Sequence, residues 1–208
     1  MKITLFFLYV LLYGGCNNEA EETGSDSNPG GPCEGCEAIY ESPVPHDKLP
    51  HVDTLPDYFE VGPKMILYGV VYKKDGKTPA PDVVIYAYHT DQEGLYSKGE
   101  GSEWGKRHGY IRGWVKSNNK GEYRMYTLRP APYPNSDAAA HIHLTIKEPG
   151  KKEYYIDEIL FKDDKSEEIK NHKFPERGGP GLIGVKTREG VQWAERNIYL
   201  GRNIPGYK

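Results

Sequence analysis

The sequence predicts an all-β domain: a β-sandwich of mostly antiparallel strands with long loops that carry functional residues. Two observations lead to this fold class. The chain has 208 residues with 24 glycines and 16 prolines, and no long stretch shows helical periodicity. Short runs of β-branched and aromatic residues recur between these turn-forming residues, which is typical of a sandwich. The length suits one domain with appendages.

The first segment, residues 1–15, is predicted to be a signal peptide. Lys2 precedes the apolar run from Ile3 to Tyr13, which is too short to span a bilayer. The run ends in Gly14-Gly15-Cys16, and small residues before a cysteine resemble a bacterial lipoprotein signal, in which Cys16 becomes lipidated. We therefore expect a membrane-anchored lipoprotein outside the cytoplasm, periplasmic or at the cell surface. The alternative is an ordinary secretory signal cleaved near Gly15.

The next segment, residues 16–36, is expected to be a flexible, lipidated tether. Residues 17–32 are acidic and rich in glycine, serine and proline, so they cannot bury a core. The tether ends in Cys33-Glu34-Gly35-Cys36. A local disulfide between Cys33 and Cys36 is the simplest interpretation in an oxidising compartment. A redox-active pair, or a metal site completed by His46 and His51, are the alternatives.

An irregular, proline-rich arm is predicted at residues 37–62, followed by the sandwich domain at 63–208. Runs rich in β-branched and aromatic residues between turns define the strands of this domain. The predicted strands are Ile66–Tyr72, Val83–Thr90, Ile111–Lys116, Glu122–Leu128, Ala140–Lys147, Tyr154–Phe161 and Gln192–Leu200. One short helix is predicted at Ser166–Asn171.

Two long loops are expected to carry function. Residues 91–109 are glycine-rich and polar and contain Tyr96, and residues 129–139 are proline-rich and contain Tyr133. Long ordered loops in compact domains are usually functional. Prolines on both sides of Tyr133 restrict the backbone there and direct its phenol.

A histidine pair on a predicted strand points to a metal. His141 and His143 lie on the same face, about 7 Å apart along the strand, so they can share one ion. The phenolate of a tyrosine is a hard anionic ligand that favours Fe(III). Together with Tyr96 and Tyr133, the histidines suggest a ferric, non-haem site.

Several segments follow one another in a distinctive order: Pro81–Tyr88 with Gly94-Leu95-Tyr96, Asn118–Tyr123, Arg129–Pro134 and Ala140–His143. In this order they resemble the intradiol ring-cleavage dioxygenases, a family that includes catechol and protocatechuate dioxygenases. The resemblance covers roughly residues 66–161. Matching several ordered segments is stronger than matching a lone His-x-His.

The resemblance implies Fe(3+) held by four ligands: Tyr96, Tyr133, His141 and His143. It implies that Tyr133 is the axial ligand that leaves when substrate binds, and that Tyr96 stays. The substrates would be a small aromatic diol and O2, and the ring would open between the two hydroxyl-bearing carbons to give a muconate-type product. Tyr86, Tyr88 and Tyr110 are nearby alternatives to Tyr96.

The chain departs from the family pattern at two pocket positions. Ala138 stands where an arginine is common, and Glu158 stands where a glutamine is common. Losing a cation and gaining an acid should weaken the stabilisation of an anionic substrate. Arg112 and Arg107 are the candidates to compensate, although each would ordinarily be a solvated surface residue.

Two other function classes remain open. One is a non-catalytic, lipid-anchored β-sandwich module that binds a ligand or a carbohydrate. The other is a zinc protein that uses the histidines alone, for which two tyrosines would be unnecessary. A net charge of −3 gives no reason to expect a nucleic acid or an anionic membrane surface as partner, and nothing indicates an oligomeric state.

Overall fold

The computed structural model describes residues 29–97, 102–171, 173 and 175–208. The predicted signal peptide and the predicted lipidation site, Cys16, lie outside these residues. No helix within the described ranges is both long and apolar enough to cross a membrane. The described chain consists mainly of strands with few short helices, which confirms the all-β prediction.

The described residues contain two sheets. The strands are β1 Val52–Thr54, β2 Lys64–Tyr72, β3 Val84–His89, β4 Arg112–Lys116, β5 Glu122–Leu128, β6 His141–Lys147, β7 Tyr154–Phe161, β8 Leu182–Ile183, β9 Val185–Arg188, β10 Val191–Glu195 and β11 Ile198–Tyr199. The first sheet has the order β1-β5-β2-β10-β9, with β11 also paired to β2. The second has the order β4-β3-β6-β7-β8.

Both sheets are mixed, so the expectation of mostly antiparallel pairing holds only in part. The pairs β1–β5, β2–β10, β2–β11 and β7–β8 are parallel. Alternate side chains of both sheets enter one apolar core, which includes Leu67 and Met125 from the first sheet and Ile85, Leu144 and Ile159 from the second. This burial fixes the register of each strand, because a slip by one residue would turn its apolar side chains outward.

Three parts of the chain differ from the predicted elements. The predicted arm forms three short 3-10 helices and the edge strand β1. The predicted loop 91–109 contains a helix, α1 Glu103–His108, whose N-cap Ser102 accepts a hydrogen bond from the Gly105 N–H. The predicted strand Gln192–Leu200 is divided into β10 and β11 at the buried Arg196. The predicted helix appears as α2, Glu167–Asn171.

A β-bulge in the second sheet shapes the region around the histidine pair. Ile142 pairs with Ile159, but Leu144 pairs with Ile156, so β7 has one residue more than β6 between these two pairs. Two residues of β7, at positions 157 and 158, therefore oppose His143 of β6. Bulges redirect side chains, and this one places the Glu158 carboxylate beside the His143 ring.

Candidate metal centre

Four predicted side chains meet above the middle of the second sheet. The hydroxyl oxygen (Oη) of Tyr96 lies 2.8 Å from the Tyr133 hydroxyl oxygen and 2.8 Å from His143 Nε2. The Tyr133 hydroxyl oxygen lies 3.1 Å from His141 Nε2. The structure thus brings together all four residues proposed as ligands, from one strand and two loops.

The turn that carries Tyr96 is organised by Asp91, which sequence reasoning did not identify. The Asp91 carboxylate accepts hydrogen bonds from the Leu95 N–H at 2.9 Å and the Glu93 N–H at 3.0 Å, and it also bonds the Ser97 hydroxyl. Aspartate often begins a turn by accepting hydrogen bonds from backbone N–H groups a few residues further along the chain. Asp91 was therefore a turn signal that the sequence offered. Asp91 is buried, so its bonds hold Tyr96 in place.

Two hydrogen bonds join the two tyrosine loops, one from a side chain and one between backbone groups. The Thr90 hydroxyl donates to the Ala131 carbonyl at 2.6 Å, and the Ala131 N–H donates to the Asp91 carbonyl at 3.2 Å. Gly94 has a φ of +76°, and a Cβ there would lie 2.0 Å from the Pro132 carbonyl oxygen. Only glycine permits this approach, so Gly94 sets the separation of the two loops.

The second nitrogen of each histidine has a defined partner. His141 Nδ1 lies 2.7 Å from the Ala139 carbonyl oxygen, and His143 Nδ1 lies 2.9 Å from Glu158 Oε1. A carbonyl oxygen only accepts, so the proton of a neutral His141 is on Nδ1 and its Nε2 carries a lone pair. The Glu158 carboxylate favours the same tautomer in His143. Both Nε2 atoms therefore present lone pairs to the tyrosines.

A proton count shows why this group of atoms suits a cation. The four atoms make three close contacts: Tyr96 with Tyr133, Tyr96 with His143, and Tyr133 with His141. If both histidines are neutral, only the two phenol protons are available for these contacts. One contact then has no proton and brings two lone pairs together. One additional positive charge resolves the conflict, either as a proton on His143 or as a metal ion. A metal ion is the solution that uses the lone pairs of all four atoms, and two phenol oxygens with two imidazole nitrogens are a suitable donor set for Fe(III).

Burial affects the protonation of the two phenols. It raises the pKa of Tyr96, and the hydrogen bond and charge of Tyr133 raise it further. It also raises the pKa of Tyr133, although the hydrogen bond from Tyr96 acts in the opposite direction. Both phenols are therefore neutral near pH 7 unless a cation displaces their protons.

The alternative tyrosines lie outside the four-atom group. The Tyr88 ring stacks on the His143 ring, with 4.5 Å between their centroids. It also stacks on the His108 ring, with 3.8 Å between centroids. The Tyr86 hydroxyl contacts His108 Nδ1 at 3.0 Å, and Tyr110 packs against the main apolar core. The stack of Tyr88 on His143 was not predicted, because it depends on the pairing of β3 with β6.

Of the pocket residues that the sequence analysis named, only Glu158 contacts one of the four proposed ligands. Ala138 is half-buried and supplies no charge. The Arg112 guanidinium bonds the carboxylate of Glu41 and the hydroxyl of Ser102, whereas Arg107 pairs with Glu34. Both cations are thus engaged away from the four donor atoms. Glu158 contacts His143, and ligand atoms of His141, His143 and Glu158 lie within 4.8 Å of one another.

A disulfide joins Cys33 and Cys36, with 5.6 Å between their Cα atoms. Neither sulfur is therefore available as a thiolate ligand for a metal. His46 is the candidate for a further ligand of such a site, but its Nε2 lies 2.9 Å from the Ile39 carbonyl oxygen.

Solved structures with the same fold include three dioxygenases. The dioxygenase domain of a dioxygenase–carbohydrate-binding protein fusion from the cellulolytic bacterium Streptomyces sp. SirexAA-E has a TM-score of 0.57 at 19% identity, over 71% of this chain and 85% of that one. The 3-chlorocatechol 1,2-dioxygenase of Rhodococcus opacus 1CP has a TM-score of 0.55 at 20% identity, over 70% of this chain and 62% of that one.

The third is chlorocatechol 1,2-dioxygenase from Pseudomonas putida, with a TM-score of 0.56 at 19% identity, over 76% of this chain and 66% of that one. The chain thus spans less than two thirds of the length of these two chlorocatechol enzymes. At these identities the likeness concerns the fold. A search of curated protein sequences returns no match.

Family membership follows from the sequence model that matches this chain. The model, described as "Dioxygenase", matches residues 37–174, which is more than half of the chain. The matched range includes both tyrosine loops and the histidine strand. The chain therefore belongs to the intradiol ring-cleavage dioxygenase family, whose members are aromatic-ring-opening oxidoreductases.

Proposed function

We propose that this protein is a non-haem, Fe(III)-dependent dioxygenase that cleaves a catechol-type aromatic between its two hydroxyl-bearing carbons. The observation that carries the proposal is the convergence of two phenol oxygens and two imidazole nitrogens through contacts of 2.8 to 3.1 Å. Tyr96, Tyr133, His141 and His143 would hold the ion on a β-sandwich scaffold.

The overall reaction adds one O2 to one catechol and yields one muconic acid, so no external reductant is needed. When bound, Fe(III) would supply Lewis acidity that draws electron density from the diol and prepares the ring for O2. The chain itself supplies positioning and proton transfer. Tyr133 is half-buried on the proline-rich loop, and as a phenolate its oxygen would accept a proton from the diol.

The histidines contribute orientation. The Ala139 carbonyl and the Glu158 carboxylate bind their Nδ1 atoms, which keeps both Nε2 atoms directed toward the tyrosines. Tyr88 covers one face of the His143 ring and limits its rotation. These contacts are made before any ligand arrives, and such preorganisation is what a catalytic ligand set requires.

A non-catalytic binding module is the second candidate, and one observation favours it. Ala138 occupies the position where family members commonly carry an arginine, and Arg112 and Arg107 are both paired elsewhere. Retention of all four donor residues favours the enzyme over this module. A zinc site using the histidines alone leaves the two converging phenols without a role.

We also propose the arrangement of the chain along its length. Residues 1–15 would direct export, and the segment 16–36 would join the domain to a lipid on Cys16. The expected flexibility does not extend to its described end, residues 29–36, because the Gly30 N–H donates to the Pro205 carbonyl at 2.8 Å and Cys36 is buried. The arm at 37–62 and the domain at 63–208 would then lie outside the cytoplasm, periplasmic or at the cell surface. Detection of lipid-modified Cys16 by mass spectrometry of the membrane fraction tests this arrangement, and a mature chain without lipid contradicts it.

The visible spectrum of the iron-loaded protein tests the proposed function. Tyrosinate bound to Fe(III) should give a reddish charge-transfer band that shifts when catechol is added without oxygen. Tyr133→Phe should alter the band and lower turnover by at least about a hundredfold. Tyr126→Phe removes a hydroxyl from β5, outside the four-atom group, and is the matched control. A colourless protein with bound iron contradicts the ligand assignment.

A further inference from the structure

Three buried polar side chains, which we call the buried triad, join the two sheets to the arm. They are His89, Thr127 and Asp57. His89 Nε2 lies 2.7 Å from the Thr127 hydroxyl oxygen, which in turn lies 2.9 Å from Asp57 Oδ1. His89 belongs to β3 of the second sheet, Thr127 to β5 of the first, and Asp57 to the 3-10 helix Pro56–Phe59 of the arm. The triad therefore connects three separate parts of the chain.

The triad lies where the chain leaves both strands to form the tyrosine loops. β3 ends at His89, whose Nδ1 lies 2.7 Å from the carbonyl oxygen of Thr90, the next residue. β5 ends at Leu128, whose N–H donates to Asp57 Oδ2 at 3.1 Å. Because β3 and β5 belong to different sheets, side chains rather than a backbone ladder hold these two strand ends together. The triad thus sets the distance between the starting points of the two loops.

The contacts of the triad require one proton more than a neutral histidine and an ionised aspartate supply. The Thr90 carbonyl oxygen only accepts, so the proton of a neutral His89 is on Nδ1 and its Nε2 carries a lone pair. The single proton of the Thr127 hydroxyl then serves either His89 or Asp57, but not both. A further proton on Asp57 or on His89 Nε2 satisfies both contacts. A buried network whose members are all satisfied is rigid.

We propose that the side chains of the buried triad are positioning residues, which place the two phenols for metal binding by holding the starts of their loops together. They act through the backbone of the loops rather than on the donor atoms. The Thr90 hydroxyl, which donates to the Ala131 carbonyl at 2.6 Å, carries this constraint from the end of β3 into the second loop. The proposal rests on the proposed function and adds Asp57 of the arm to the residues that shape the site.

Hydrogen exchange of the metal-free full chain tests the proposal independently of iron. Thr127→Val keeps the shape of the side chain but leaves the other two members of the triad without their shared partner. The N–H groups of Ala131 and Leu95 both donate to Asp91 in the tyrosine loops, and their exchange should become at least about tenfold faster. Exchange of the Leu160 N–H in β7 should change by less than about twofold. Thr127→Ser keeps the hydroxyl and should retain native exchange in both loops.

The matched control removes a buried hydroxyl near the opposite end of β3. The Ser117 hydroxyl donates to the Ala80 carbonyl at 2.8 Å and accepts from the Val83 N–H at 3.0 Å. Ser117→Ala should lower the free energy of unfolding but change exchange in the two tyrosine loops by less than about twofold. Equal acceleration in Ser117→Ala and Thr127→Val would mean that Thr127 contributes only to stability, which overturns the proposal.

A pair of variants at position 57 provides a second test, which decides the matter if Thr127→Val does not fold. In Asp57→Asn the amide N–H can donate to Thr127 while the amide oxygen accepts from Leu128, so exchange in the loops should stay native. Asp57→Ala removes both bonds and should accelerate that exchange at least about tenfold. Native exchange in Asp57→Ala overturns the proposal.

The visible band of the iron-loaded protein then links the triad to the metal site. Thr127→Val and Asp57→Ala should shift the band, whereas Thr127→Ser, Asp57→Asn and Ser117→Ala should leave it at the native wavelength. A band that stays native in both disruptive variants also overturns the proposal. Absence of the band in the native protein contradicts the iron assignment instead, and the exchange rates still decide whether the triad holds the loops.

Discussion

At the scale of single residues, Glu158 acts on the site through the histidine that it contacts. Its carboxylate lies 2.9 Å from His143 Nδ1 and strengthens the ligand character of Nε2. Glu158→Gln keeps the shape of the side chain but removes its charge. We expect this variant to bind iron about 10- to 100-fold more weakly.

Competition with a chelator measures that change, and the energy of the visible band reports on the ligand field. Glu189→Gln, in the exposed turn between β9 and β10, is the control for loss of a carboxylate. A purely structural role for Glu158 would lower the free energy of unfolding while leaving the band energy and iron affinity unchanged. That result would contradict the account of Glu158 as a positioning residue.

The sequence predicted that the four donor side chains lie together, because each occurs in a segment that resembles the family pattern. His141 and His143 share a strand face, and Tyr133 stands between prolines. The partner of His143 could not be predicted from the sequence. Glu158 reaches it only because a bulge adds one residue to β7 opposite His143, and bulges leave no reliable pattern in one sequence. The sequence therefore predicts Glu158 as a pocket residue, but it does not predict the contact of Glu158 with His143.

At the scale of elements, the close approach of the two tyrosine loops depends on Gly94. A Cβ at this position would lie 2.0 Å from the Pro132 carbonyl oxygen, and the backbone has a φ of +76°. We expect Gly94→Ala to lower the free energy of unfolding by about 1–3 kcal/mol and to separate Tyr96 from Tyr133. Urea denaturation and the visible band measure the two effects.

The matched control is Gly184→Ala, because a Cβ at Gly184 meets no atom within 4 Å. This substitution should leave both the free energy of unfolding and the band close to those of the native protein. Native stability and an unchanged band in Gly94→Ala would show that the loops do not depend on this contact.

The bounds of the strands could be predicted where buried and exposed side chains alternate along the chain, and less well elsewhere. The strands β5 and β7 have the bounds that the sequence predicted, because their apolar faces and flanking turns are distinct. The short helix α1 was missed inside a polar, glycine-rich segment. The break between β10 and β11 was also missed. It depends on Arg196, whose buried guanidinium donates to the backbone carbonyls of Gly178 and Asn197.

At the scale of the whole molecule, burial links iron binding to pH. The folded environment raises the pKa of Tyr96 and of Tyr133, so both are protonated near neutral pH when no cation is bound. If Tyr96 and Tyr133 bind iron as phenolates, iron binding would release two protons. Apparent iron affinity should therefore increase with pH, by roughly a hundredfold per pH unit for two protons.

Proton release in weakly buffered solution, followed with an indicator dye, measures this linkage directly. A chelator competition series at several pH values, corrected for the protonation of the chelator, gives the slope. Tyr133→Phe should release one proton fewer than the native protein. An affinity that does not change with pH would mean that the phenols do not bind as phenolates.

The chain combines family membership with a site that has two changed pocket positions. The family match includes both tyrosine loops and the histidine strand, whereas Ala138 removes a common cation and Glu158 adds an acid. The central claim is that this arrangement still performs intradiol cleavage.

The most direct test of that claim is turnover of a methylcatechol under ¹⁸O2, with the product analysed by mass spectrometry and NMR. We predict a muconate-type diacid with one labelled oxygen in each carboxyl group. A ring-opened product that carries an aldehyde, or no oxygen consumption by protein with bound iron, would contradict the account.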